Sequence, residues 1–326
     1  MAYHDERSST LVLGASGGFG GALADELIAR GRRVRLLARS SARVSARLAK
    51  VPNVEVVIGD VQDTAALIKA ASGCGLIVHG VNYPYHQWVP YLQTATLNII
   101  EAARTTGATL LFPGNVYSLG ESSAAPLDES APHKATTRKG KFRARLEGFL
   151  KDATVSAGDK PAIRVLIVRA GDYFGPSMRN GLVDRLYGNA ARGKPMQSFG
   201  RLDIMHERIF LPDLARASLD LLALGDALPA FEVVNVTPGE RFSQRDYFAL
   251  VARVAGHSAL KASLMPWWMV AMVGLFNPMI REFMELRYLY DTTLLLDGAK
   301  LKRLLPGFQF TAPEEAIRLT LASYRT

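Results

Sequence analysis

The chain has 326 residues, of which 48% are hydrophobic, and a formal net charge of +9. That length suits one large α/β domain or a main domain with a smaller lobe, and the apolar share excludes a disordered chain. The only cysteine, Cys74, excludes an intramolecular disulfide framework and fits a reducing cytoplasm. The polar stretch Met1 to Ser9 lacks the basic and apolar regions of a signal peptide, so a cytoplasmic protein is expected. The arginines are spread over many helical patterns, with no basic run interleaved with aromatics. This predicts a surface that attracts phosphorylated ligands, and no nucleic-acid partner.

The first pattern is the apolar run Leu11 to Leu13, then Gly14-Ala-Ser16-Gly17-Gly18-Phe19-Gly20-Gly21, then an amphipathic stretch from Ala22 to Arg30. This reads as strand, tight turn and helix N-terminus, where backbone N–H groups at the positive end of a helix dipole receive a pyrophosphate. Gly14, Ser16, Gly17, Gly18, Phe19 and Gly20 are the expected phosphate-cradling residues. Their spacing is Gly-x-x-Gly-x-x-Gly, so the flanking strand and helix carry the reading more than the glycines alone. A second strand, Arg33 to Ala38, ends at Arg39-Ser40, with Arg43 a turn further on. An acid at this position suits the ribose hydroxyls of NAD; a guanidinium suits a 2′-phosphate. Arg39 and Ser40 therefore predict NADP(H) in preference to NAD(H), against the plainer role of stacking on adenine or covering the surface.

A third strand, Val54 to Ile58, leads to Gly59-Asp60-Val61. Asp60 and Val61 are placed to meet the adenine, or Asp60 caps the next turn. Asp63-Thr64 starts a helix. The fourth strand, Leu76 to Gly80, brings Gly80 to the cofactor crevice, and His79 at its end reads as a hydrogen-bonded structural histidine. Trp88 to Arg104 is helical, with Leu92, Ala95, Ile99 and Ala102 on one face. The fifth strand, Ala108 to Phe112, runs into Pro113–Tyr117, expected on the crevice rim at the carboxyl ends of the strands. Thr137 to Leu150 reads as a basic amphipathic helix, and Ala162 to Val168 as the sixth strand.

Further on, Met178 to Gly193 is helical in pattern and Arg208 to Leu211 is a short strand. A helix from Pro212 to Leu224 and a strand from Phe231 to Val236 follow. Ser243 with Asp246 caps one helix, and Thr311-Ala-Pro-Glu314 has the capping-box spacing for the last. Leu264 to Phe276 is strongly apolar but shorter than the roughly 20 residues that span a bilayer. It is expected to cover the substrate crevice or meet a second subunit, with a membrane-surface helix as the alternative. No His/Cys/Asp/Glu cluster has metal-ligand spacing.

Together, Gly14–Gly20, Gly59-Asp60, Thr96-Leu-Asn98-Ile-Ile-Glu-Ala102, Gly114-Asn-Val-Tyr-Ser118, Arg169-Ala-Gly-Asp-Tyr-Phe-Gly-Pro176, Leu211-Pro-Asp-Leu-Ala215 and Asn235 resemble the extended and atypical short-chain dehydrogenase/reductase superfamily, related to nucleotide-sugar epimerases and dehydratases. The resemblance covers nearly the whole chain. It implies an α/β fold: a doubly wound Rossmann domain of about seven parallel strands with a small C-terminal α/β substrate lobe. Residues 1–176, completed by 208–236, would form the first, and 177–207 with 237–326 the second.

The resemblance also implies a tyrosine four residues before a lysine, with a serine or threonine after strand five. Lys141 is the best match for the lysine, which puts Thr137 in the tyrosine's place and Pro113 in the serine's. The asparagine of many relatives falls on Leu92. Threonine is far too weak an acid to replace a phenol near neutral pH. Three readings follow. One is an NADP(H)-dependent oxidoreductase acting on a small molecule, with Lys141 on the nicotinamide ribose and Tyr173 or Tyr117 lining the reacting centre, near Tyr83, Asp172 and Asn115. Another is a non-catalytic dinucleotide-binding redox sensor or scaffold. The last is a nucleotide-sugar epimerase or dehydratase. A homodimer through the two long helices flanking strand five is a further expectation.

Overall fold

Short runs of Val, Leu and Ile, each ending in a turn, pair into one parallel sheet. The computed structural model describes residues 8–40, 48–121, 125–176, 178–258 and 260–325. Most of the Met1–Ser9 stretch and Arg43 lie outside the described residues. The sheet strands are β1 (Ser9–Leu13), β2 (Val34–Ala38), β3 (Val54–Ile58), β4 (Cys74–His79), β5 (Thr109–Gly114), β6 (Val165–Arg169) and β10 (Phe231–Asn235). Their order is β10-β6-β5-β4-β1-β2-β3. The order reverses between β1 and β4, so a crevice opens there at the carboxyl ends of the strands.

Side chains alternate across the pleat, which assigns each strand residue to a layer. Val12 of β1 joins one core with Leu23 and Leu27 of α1 (Gly18–Ala29) and Leu214 and Leu221 of α7 (Leu211–Ala223). Leu11 and Leu13 join the opposite core, with α2 (Thr64–Ala71), α3 (Gln93–Thr106) and α4 (Arg138–Asp152). The doubly wound α/β architecture expected from the sequence is therefore present. β5 runs two residues further than expected and includes Pro113. β4 pairs with β5 only as far as Leu111, so Pro113 owes no N–H to that side.

Most of the remaining elements form a second region, whereas α12 (Ala299–Leu304) places Leu301 in the main-sheet core with α1 and α7. β7 (Asp172–Phe174) pairs with β9 (Arg208–Phe210), and β8 (Met196–Phe199) with β11 (Ala262–Met265), both parallel. The helical pattern after Met178 is real but broken: α5 (Gly181–Val183) and α6 (Asn189–Ala191) flank a π-type turn. Then come α8 (Gln244–Val254), α9 (Trp267–Phe276), α10 (Pro278–Phe283), α11 (Tyr288–Asp291), α12 (Ala299–Leu304) and α13 (Pro313–Ala322). Phe174, Tyr187, Tyr247, Phe248 and Ile317 form one core of this region.

The caps at Asp63 and Ser243 form as expected, each side chain accepting a first-turn N–H at 3.1 Å. The Thr311–Glu314 box does not form. Ala312 holds the N-cap position, and the Thr311 backbone N–H and hydroxyl instead donate to the buried Asp213 carboxylate at 2.8 and 2.7 Å. A buried carboxylate needs those donors more than an exposed helix end does.

His79 is structural, as expected. Its Nε2 lies 3.0 Å from the Thr96 hydroxyl, and its ring meets Phe112 edge-on. Burial lowers its pKa from 6.5 to about 3, and the Arg143 charge pushes the same way. The folded state thus keeps the ring neutral while the unfolded chain binds a proton. Stability should fall as pH drops from about 6.5 towards 3, by up to about 1.4 kcal/mol per pH unit. His79→Gln is expected to reduce that slope in urea melts compared at about pH 7 and about pH 5; an unchanged slope contradicts the neutral buried ring.

Candidate functional site

The crevice at the sheet's switch point is built on backbone contact. Gly14 turns the chain out of β1 with φ +71°. A Cβ there would strike the Gly80 carbonyl, and one on Gly20 would lie 2.5 Å from the Gly14 carbonyl oxygen. The turn, the start of α1 and the end of β4 thus touch main chain to main chain. α1 begins at Gly18, and its N-cap Gly17 brings no side chain to the helix end. The positive end of the helix is left for an anion.

The crevice encloses about 730 Å³ and brings together Gly14, Ser16, Gly17, Arg39, Asp60, Val61 and Gly80. Tyr83, Asn82 and Pro176 complete its far end. Gly18, Phe19 and Gly20 serve it from behind: Phe19 is buried in the α1 core, and Gly18 faces Met178 and Leu211. Ser40 is described but does not line the cavity, whereas the exposed Arg39 does. Asp60 caps the turn, one oxygen accepting the Gln62 N–H at 3.0 Å, and it also lines the crevice. The volume, the glycine cradle and the cation at the end of β2 fit a dinucleotide.

The helix α4 turns a different set of side chains inward from the one expected. Lys139, Arg143 and Glu147, at successive i, i+4 positions, are buried. Lys139 is ion-paired with Glu282 and Glu285, and sits over the Tyr85 ring. Arg143 donates to the Pro113 carbonyl at 2.5 Å and lies over Phe112 and Trp88. Glu147 takes the Arg169 guanidinium at 2.8 Å, with both side chains buried. Burial works against its ionisation, but the His133 hydrogen bond and the Arg169 charge hold its pKa below the ordinary value. Lys141 points outward and is exposed.

A smaller cavity of about 70 Å³ lies beside the crevice, lined among others by Asp172, Tyr173, Phe199, His206, Arg208 and Tyr290. β7 links the two spaces: Tyr173 lines the small cavity, and Pro176, just past the strand, lines the crevice. The pairing of β7 with β9 brings His206, just before β9, to Asp172, with Nε2 to carboxylate oxygen 2.7 Å. Burial opposes ionisation of Asp172, but His206 and Arg208 hold its pKa below the ordinary carboxylate value.

A family model described as "NAD dependent epimerase/dehydratase family" matches residues 10–237. The chain belongs to this family. The solved structures it resembles agree with that fold. A dTDP-glucose 4,6-dehydratase from Streptomyces venezuelae with NAD bound is 18% identical, with a TM-score of 0.77 over 97% of this chain and 96% of that one. The UDP-glucose 4-epimerase of Thermus thermophilus in complex with NAD is 20% identical, TM-score 0.75, over 97% and 99%. A UDP-glucuronic acid 4-epimerase from Bacillus cereus, with UDP-glucuronic acid and NAD, is 15% identical, TM-score 0.77, over 97% and 99%. No curated protein matches the sequence.

Within the epimerase/dehydratase fold, the positions expected to carry catalysis have structural duties. Thr137 is the N-cap of α4, its hydroxyl accepting the Gly140 N–H at 3.1 Å. Pro113 is a strand residue whose carbonyl is taken by Arg143. Leu92 is buried in the core. Tyr117 packs on Trp88, its hydroxyl 3.2 Å from that of Tyr85, and lines neither of the two cavities. Tyr173 donates to the Gly114 carbonyl at 3.0 Å. Burial raises the pKa of Tyr117 well above 10 and that of Tyr173 to about 12. Neither phenol is tuned for proton exchange near neutral pH. Sequence reasoning did not single out His206, because only strand pairing places it beside Asp172, 34 residues away.

Glu147→Gln would leave the buried Arg169 without its counter-charge. A loss of about 3–5 kcal/mol in denaturant unfolding is expected; a change under about 1 kcal/mol would show that the pair is not a support of the sheet.

Proposed function

We propose that the protein binds NADP(H) in the crevice and is an oxidoreductase acting on a small molecule at the cavity beside it. The observation that carries this is the 730 Å³ crevice, which joins the glycine turn, the Asp60-Val61 step and Arg39 in one continuous lining. The pyrophosphate would rest on Gly14–Gly17 at the start of α1, the adenine near Val61, and a 2′-phosphate against Arg39. The family's description and the bound NAD of its structural neighbours support a nicotinamide dinucleotide. The basic residue at the end of β2 supports the phosphorylated form.

When bound, the nicotinamide supplies the hydride chemistry. What remains for the chain is to position a substrate and to move one proton. Lys141 faces solvent, so we do not assign it to the ribose. The proton carrier we assign is His206, oriented by Asp172 at the wall of the small cavity. An imidazole can both give and take a proton, and the Asp172 carboxylate at 2.7 Å fixes the orientation of this one. Tyr173 and Tyr290 then act as walls. Nucleotide sugars are the first substrates to test, since several neighbouring structures hold them.

A second reading, a non-catalytic dinucleotide sensor, draws on α4. Its inward face is occupied by Lys139, Arg143 and Glu147 in contacts with the protein itself. The two readings part on turnover. An enzyme oxidises bound NADPH in the presence of some aldehyde, ketone, quinone or nucleotide-sugar ketone; a sensor binds it and turns over none.

Fluorescence titration checks the cofactor. Arg39→Asp is expected to weaken NADPH by roughly 10- to 100-fold, the worth of about 1.5–3 kcal/mol of charge-assisted hydrogen bonding, while NADH changes little. Equal losses for both would remove the 2′-phosphate assignment. For the proton carrier, His206→Gln should lower kcat by about 100-fold or more with NADPH affinity unchanged. A kcat near wild type would place the proton elsewhere.

A further inference from the structure

The most unusual surface of the molecule is α9 with the segments on either side of it. Residues 262–280 contain no charged side chain. Leu264, Trp268, Met269, Met272, Val273, Leu275, Phe276 and Met279 are all exposed, Leu275 by 72% and Phe276 by 91%. The other exposed large apolar residues among those described lie between Ile58 and Met205, and of these only Val89 and Tyr91 are close in sequence. Such concentration in one patch marks a contact surface. The segment does not cover the crevice, as one sequence expectation had it, for it lines neither the crevice nor the small cavity.

The shape of the patch narrows the partner. Only Val270 and Gly274 of α9 are buried, and they lie one turn apart on a single stripe. Gly274 allows the Arg281 backbone of α10 to pack close. Trp267 joins Val270 in the core with Phe283, Leu286 and Tyr290. The rest of the circumference faces outward, so the helix is an apolar ridge rather than a groove or a flat face. An apolar helix of this length is ordinarily a buried core helix or an interfacial segment. Exposure excludes the first. Ten residues rise only about 15 Å, half the hydrocarbon thickness of a bilayer, which excludes spanning. No helix among the described residues is long and apolar enough to cross a membrane.

Charge completes the picture. Lys261 and Arg281 bound the uncharged stretch on its two sides; both are exposed and neither is ion-paired with a described residue. Arg287 lies over the Trp267 ring at the base of the ridge and is ion-paired with Asp291 at 2.7 Å. Of the acids nearby, Glu282 and Glu285 are taken up by Arg138 and Lys139 of α4, and Asp291 by Arg287 and the Trp267 indole N–H. A ridge that is apolar around most of its girth, bounded by the exposed cations Lys261 and Arg281 on a chain of net charge +9, matches an acyl layer under anionic headgroups. We infer that α9 and its flanks are a membrane-docking ridge that seats the protein on an anionic bilayer surface. This inference is independent of the crevice's ligand.

Co-sedimentation with vesicles tests it. The full chain should partition onto vesicles with about 30% phosphatidylglycerol and at least tenfold less onto pure phosphatidylcholine. Tryptophan emission should shift to the blue as Trp268 leaves water. Phe276→Asp, at a side chain that supports no core contact, should keep the fold and cut partition at least tenfold. Arg281→Gln should weaken binding to anionic vesicles and leave the weak binding to neutral ones as it is. No partition onto anionic vesicles overturns the inference, as does equal partition onto neutral ones. So does a stable dimer that Phe276→Asp dissociates, which would assign the ridge to a second copy of the chain.

Discussion

Everything at this site depends on three stretches of main chain meeting without side chains between them. Gly14, Gly20 and Gly80 bring the exit of β1, the first turn of α1 and the end of β4 into direct contact. A single methyl group at Gly14 or Gly20 would push helix from strand, or strand from strand. That contact is what aims an uncapped helix N-terminus into the crevice at the point where the strand order reverses. The core layers on either side follow from the alternation of Leu11, Val12 and Leu13 in the same strand.

The second constraint is electrostatic. α4 carries Lys139, Arg143 and Glu147 into the protein on one stripe, and each is answered there: by two carboxylates of the α10 region, by a strand carbonyl, and by Arg169. Buried charges are costly unless so matched. The helix that resembles a catalytic element is therefore committed to holding β5, β6 and α10 together. In the proposed function cofactor binding and proton transfer come apart: the first is assigned to β1, α1 and β2, and the second to the loop before β9 facing β7.

Much of this was legible in the sequence. The glycine turn, the strand runs and the caps at Asp63 and Ser243 are local signals, and local chemistry decided them. Three features were not, each for a physical reason. The face of α4 was set by Phe142, Leu146 and Leu150, whose spacing puts Lys139 and Arg143 inward and Lys141 out; the motif spacing around Lys141 pointed the other way. Thr311 was drawn from its helix to a buried carboxylate 98 residues distant in sequence. His206 meets Asp172 only through pairing of two three-residue strands, a contact no periodicity announces.

The central claim is that the dinucleotide sits on the β1–α1 turn with its reactive end turned towards β7 and His206, away from the exposed face of α4. A crystal structure with NADPH bound tests it most directly. The pyrophosphate is expected on the Gly14–Gly17 amides, the 2′-phosphate on Arg39, the nicotinamide near Tyr173 and Pro176, and Lys141 free in solvent. A nicotinamide directed elsewhere, or a ribose held by Lys141, would contradict it.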